Sequence, residues 1–96
     1  MDVIWTKKAK EDYWQNIDFL IKEWNNTVAI DFIDIVNDAI IRLSNSPSIG
    51  LKTEYNNVRK YIIISQISLY YIYNKSTITL VRFWNNFQNP SSFHLD

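Results

Sequence analysis

The spacing of apolar residues changes once along this chain, and that change limits the fold more than any other feature. Up to Leu43 apolar side chains recur at steps of three and four. The first series is Ala9, Tyr13, Ile17, Leu20 or Ile21, and Trp24; the second is Ala29, Phe32, Ile33, Val36, Ile40 and Leu43. Such steps return to one side of a helix at every turn. After Gly50 the period becomes two. The runs Val58–Ser65, Ile67–Tyr73 and Thr77–Trp84 are β-branched and aromatic, which is the composition of strands. Between the two regimes lies Ser44–Gly50, a stretch rich in turn formers.

Local signals place the element ends. The Thr6 hydroxyl can accept from a free first-turn N–H and start the first helix. Asn25-Asn26-Thr27 breaks the pattern and can cap the second. Two amphipathic helices with so short a connection form an antiparallel hairpin. Residues 2–5 read as a short strand, and Leu51–Tyr55 as another, with Asn56-Asn57 as a turn. Breaks at Ser65-Gln66 and Asn74-Lys75-Ser76 suit hairpin loops, so the back half reads as an antiparallel meander. The expected fold class is two-layer α+β: an N-terminal strand and a helical hairpin packed on one face of a C-terminal antiparallel sheet. In Ile67–Tyr73 one face carries Ile67, Leu69, Tyr71 and Tyr73, and the other Ser68, Tyr70 and Ile72. Neither is strongly polar. The helices cover only one, so the other is expected to stay open for a partner.

A length of 96 residues is expected to make a single domain, 1–96. With one Gly and two Pro there is no glycine-rich phosphate loop, and the sequence holds no Cys, which excludes disulfides and thiolate chemistry. Met1–Trp5 does not read as a signal peptide, having no basic stretch followed by an apolar one, and none is expected. No run approaches the roughly 20 apolar residues of a membrane-spanning helix. The expected location is the cytoplasm, with no membrane partner. Net charge is zero but unevenly spread. Residues 1–50 hold five Lys/Arg against eight Asp/Glu, and residues 51–96 hold five against two. A basic back half allows an anionic partner there.

The candidate functional residues lie in that half. Arg59 and Lys60 are adjacent on a strand and so face opposite ways; only one serves any single site. Arg82 is expected to share a strand face with Leu80 and Ile78, where a cation needs a partner, either a functional contact or a structural ion pair. Lys52 stands alone in the loop-to-strand region. Tyr70, Tyr71 and Tyr73 read first as sheet packing. Trp5 and Trp14 are expected to pack in the core, with part of an antitoxin groove as the other reading, and His94, the sole histidine, is expected as a solvated tail residue. Asp31, Asp34 and Asp38 read as the wet face of the second helix rather than a metal site, because helical carboxylates without a loop make a poor cation cage. No cofactor is called for.

Several strings in order resemble the RelE/ParE superfamily of toxins from type II toxin–antitoxin systems. They are Ala9 with Asp12-Tyr13 and Ile17; Ala29, Phe32, Ile40 and Leu43; Pro47 with Ile49-Gly50; Val58-Arg59-Lys60; Ile67-Ser68-Leu69-Tyr70-Tyr71; and Leu80-Val81-Arg82-Phe83-Trp84-Asn85-Asn86-Phe87-Gln88-Asn89-Pro90. The resemblance implies a growth-inhibiting, plasmid-stabilising toxin, held in a hetero-oligomer by a cognate antitoxin. Its target is DNA gyrase or ribosome-bound mRNA. It implies target or antitoxin contacts at Lys52, Arg59, Lys60, Tyr70, Arg82, Asn85 and Asn86, with Lys52, Arg59 and Arg82 as the catalytic candidates of a ribonuclease. The sequence departs from the ribonuclease pattern, however. Ser68 and Phe87 stand where basic residues are common, and Asn85 where a histidine or aspartate is common. Losing a phosphate-clamping arginine removes bidentate donors, so the gyrase-directed branch, or a member with weakened activity, fits better. The alternatives are a non-toxic peptide-binding member of the fold and an RNA-cleaving member.

Overall fold

The computed structural model describes residues 1–95. Strand β1 (Asp2–Trp5) leads into helices α1 (Lys7–Glu23) and α2 (Asn26–Asn45). A 3-10 turn at Pro47–Ile49 follows, then β2 (Leu51–Lys52), β3 (Arg59–Ile64), β4 (Ile67–Tyr73) and β5 (Thr77–Asn85). The five strands form one sheet in the order β1-β5-β4-β3-β2. β2 to β5 are antiparallel neighbours, and β1 alone runs parallel, against β5. The helices pack on one face, giving the expected α+β class.

Both caps form as the sequence suggests. Thr6 Oγ1 accepts from the Ala9 amide, and Asn25 Oδ1 from that of Val28; each satisfies a first-turn donor that has no helical partner. The core joins Ala9, Ile17 and Leu20 of α1, Phe32, Val36 and Leu43 of α2, and Ile67, Leu69, Tyr71, Ile78, Leu80 and Phe83 of the sheet. Leu20 and Leu43 are fully buried, each worth about 1.5–3 kcal/mol relative to exposure.

Several expectations need correction. Leu51–Tyr55 is a strand only at Leu51 and Lys52; residues from Thr53 turn toward β3 instead, with Thr53 Oγ1 donating to Val58 O. Trp24 does not join the α1 stripe, because it follows the last helical residue with non-helical backbone angles and is exposed. Trp14 lies outside the core too, packing edge-on against Tyr13 from the solvent side. Trp5 does pack against the core, stacked on Phe83. The sheet face away from the helices is not wholly open, since the segment after Pro90 crosses part of it.

One detail of β5 sets the candidate site. Tyr71 pairs with Leu80, yet Tyr70 pairs with Arg82, so Val81 is an extra residue, a β-bulge. The bulge reverses which residues face the helices. Ile78 and Leu80 do so before it and Phe83 after it, which sends Arg82 and Trp84 to the other face with Tyr70 and Ser68. The expectation that Arg82 shares a face with Leu80 and Ile78 therefore fails, because strict alternation breaks at Val81.

Candidate functional site

β5 outruns its neighbour. β1 pairs with it only from Thr77 to Leu80, and beyond that point the backbone of β5 needs other partners. Side chains of the cap and of α1 provide them. Thr6 Oγ1 donates to Val81 O at 3.1 Å. Asp12 Oδ2 accepts from the Phe83 amide at 3.1 Å, and Asn16 Nδ2 donates to Phe83 O at 3.0 Å. Asp12 and Asn16 sit four residues apart on the buried side of α1 and are themselves buried. This spacing aligns them along the strand edge.

Asp12 does a second job. Arg82 turns around the open edge of β5 and meets its carboxylate bidentately, Nε to Oδ2 at 2.6 Å and Nη2 to Oδ1 at 3.0 Å. Both residues are about 5% exposed. A buried arginine so paired is fixed in place. Its remaining terminal nitrogen, Nη1, donates to His94 O. Its guanidinium lies 5.5 Å from the Trp84 ring centre and 5.9 Å from that of Phe93. The Arg82 side chain is thus tied to α1, to its own strand and to the C-terminal segment. His94 itself is exposed, as expected, although its carbonyl is engaged.

The other candidates fall into separate places. Lys52 pairs directly with Arg59 across β2 and β3, and Arg59 pairs with Tyr71. On the opposite face, Leu51, Lys60, Tyr70 and Arg82 form a row across four strands. Arg59 and Lys60 therefore face opposite ways, as the strand period requires. Arg59 Nη1 is engaged by the Gly50 carbonyl at 2.8 Å. Lys52 is exposed beside a basin that Arg59, Glu54, Tyr55 and Tyr73 help to line. Asn85 and Asn86 lie at the far end of β5, four positions of β4 away from the Arg59 row. Asn85 is buried and accepts from the Phe87 amide. Asn86 is exposed, its amide donating to Gln66 O. The structure gathers Lys52 with Arg59, and Lys60 with Tyr70 and Arg82, but not all seven residues.

The Lys52–Arg59 row depends on the only glycine. Tyr71 Oη donates to Pro47 O at 2.6 Å and accepts from the Gly50 amide at 2.9 Å. Gly50 has ordinary extended angles, so its role is close approach: a Cβ there would collide with the Tyr71 hydroxyl. The hydroxyl of Tyr71 thus fixes the turn that delivers β2. Burial pushes the Tyr71 phenol above its ordinary pKa. Burial also raises that of Tyr70, helped by Tyr55 and by the Glu54 charge.

Sequence reasoning missed Asp12 as the partner of Arg82 and Phe93 as its cover. Asp12 was findable: it lies on the buried side of α1 between Ala9 and Asn16, where a carboxylate needs a cation. Nothing in the sequence marks where Phe93 lands.

A family model described as the ParE toxin of the type II toxin–antitoxin system parDE matches residues 3–90. A search of curated protein sequences returns no match. Among solved structures, the chain is similar to a chromosomal ParDE toxin–antitoxin system from P. aeruginosa, with 18% identity, 88% of this chain and 95% of that chain covered, and a TM-score of 0.77. A YoeB/ParE toxin from Agrobacterium tumefaciens shares 16% identity over 88% of this chain and 98% of that one, with a TM-score of 0.63. The E. coli DinJ-YafQ complex shares 11% identity over 88% and 91%, with a TM-score of 0.58. At such identities these likenesses speak for the fold, whereas the family model spans nearly the whole chain. With its sheet order, its helical hairpin and this match together, the chain belongs to the ParE toxin family of type II toxin–antitoxin systems.

Proposed function

We propose that this chain is a toxin directed at DNA gyrase rather than a ribonuclease, and that a cognate antitoxin silences it in a hetero-oligomer. The observation that carries this reading is the buried pair of Arg82 with Asp12. Cleaving RNA through its 2′-hydroxyl needs a base, an acid and positive charge on the scissile phosphate. Arg82 is committed to a carboxylate, and Arg59 to the Gly50 carbonyl. Lys60 lies on the opposite face from Lys52 and Arg59. These residues supply no converging set of cations, and the sole histidine contributes only its backbone to the Arg82 cluster.

The helical hairpin supports the antitoxin part of the reading. Trp14 and Ile21 on α1 are seven residues apart, and Ile30 and Ile41 on α2 eleven apart, so each pair returns to one side of its helix. All four are exposed. An apolar surface on paired helices suits an amphipathic partner helix.

Induction in a bacterial host tests the reading. Growth arrest accompanied by gyrase-dependent DNA breaks, with transcripts intact, is the expected result. Arrest with cleaved mRNA would establish the ribonuclease reading instead. Normal growth at high folded expression would establish a non-toxic binding member of the fold.

A further inference from the structure

The C-terminal segment sits on the sheet face away from the helices in the manner of a bound ligand. Phe93 places its ring 4.8 Å from Tyr70, 4.9 Å and nearly edge-on from Trp84, and 5.8 Å from Tyr55. One residue later, the His94 carbonyl accepts a hydrogen bond from Arg82 Nη1. The contact is therefore an aromatic side chain in an aromatic seat, followed by one main-chain hydrogen bond. Apolar side chains continue beyond it on the same face: Leu51 beside Lys60, and Ile62 opposite Ser68, both more than half exposed.

We propose that residues Asn89–Leu95 are a detachable cover, and that the seat beneath Phe93 is a binding site for an extended peptide bearing an aromatic side chain. Two features favour a peptide over a nucleic acid. The Arg82 charge is already balanced by Asp12, so Nη1 is a donor suited to a neutral carbonyl. Glu54 also lies near enough for its charge to act on Tyr70 and to offset that of Lys60 in the same row, so the seat offers no net positive field for phosphate. An incoming segment would replace Phe93 with its own aromatic ring, and the His94 carbonyl with its own backbone. The cover keeps Trp84 and Tyr70 from water until that exchange. This site is separate from the apolar helical surface and does not depend on which target the toxin takes.

The test uses the full chain carrying Phe93→Ala and a synthetic peptide of residues Asn89–Leu95. A tethered segment competes at an effective concentration on the order of millimolar, so the unsubstituted chain should resist the peptide. The Phe93→Ala chain should keep its far-ultraviolet dichroism and take the peptide about tenfold more tightly or better, by calorimetry. The same peptide with alanine at Phe93 should not bind, nor should the natural peptide bind a Phe93→Ala, Tyr70→Ala chain. Loss of folding in Phe93→Ala would make the segment part of the core and overturn the proposal. Equal binding to both chains, no binding to either, or displacement of the peptide by single-stranded RNA would also overturn it.

Discussion

The two halves of β5 are held in different ways. From Thr77 to Leu80 its outer edge is bonded to β1, backbone to backbone. From Val81 to Phe83 the edge is bonded to Thr6, Asp12 and Asn16, side chain to backbone. A backbone ladder draws on groups that every residue except proline carries. A ladder made of side chains does not, since each partner must have one chemistry at one place. The second half is therefore where substitutions should be punished, and it is also where Arg82 lies.

The sharpest way to break the contrast is Asp12→Ala. It leaves a buried arginine and a strand amide without their carboxylate, and a loss of about 3–5 kcal/mol is expected in urea unfolding. A loss under about 1 kcal/mol would mean that the pair is dispensable. Next comes Asn16→Leu, which keeps the volume and strands the Phe83 carbonyl; about 1–3 kcal/mol should be lost. Thr6→Val removes both the cap of α1 and the bond to Val81 O, and about 0.5–2 kcal/mol is expected. The smallest effect belongs to the first half. Ile4 is exposed on β1 opposite Thr79, and Ile4→Thr should stay within about 0.5 kcal/mol of the parent. Ile4→Thr costing as much as Asn16→Leu would erase the distinction between the halves.

The same contrast explains what the sequence revealed. The change of period predicted the helical hairpin and the meander, and Thr6 and the Asn25-Asn26-Thr27 break were readable as helix starts because capping is local chemistry, although which of the three residues caps was not. The opposition of Arg59 and Lys60 followed from strand geometry alone. The bulge at Val81 was not readable, because one extra residue leaves the alternation on either side intact and only shifts its phase. With the phase went the face of Arg82, and hence its neighbours. Trp14 misled because aromatic size suggests burial, whereas it flanks the buried stripe; Trp24 misled because its four-residue step continues the series, whereas the helix ends one residue before it. The seat of Phe93 depends on residues from two strands and a loop, Tyr70, Trp84 and Tyr55, which no local pattern encodes.

The parallel pairing of β1 with β5 has a consequence for how the molecule is made. Contacts such as that between Thr6 and Val81 join positions 75 residues apart, so the first strand has no lasting place until the last has been synthesised. Closing so long a loop is slow compared with forming the helical hairpin between. The hairpin should therefore assemble early, with its apolar stripe awaiting a sheet. Growth of the chain past Asn85 then lets both ends lock at once, so that a truncated product lacking β5 would leave its N-terminal strand unpaired.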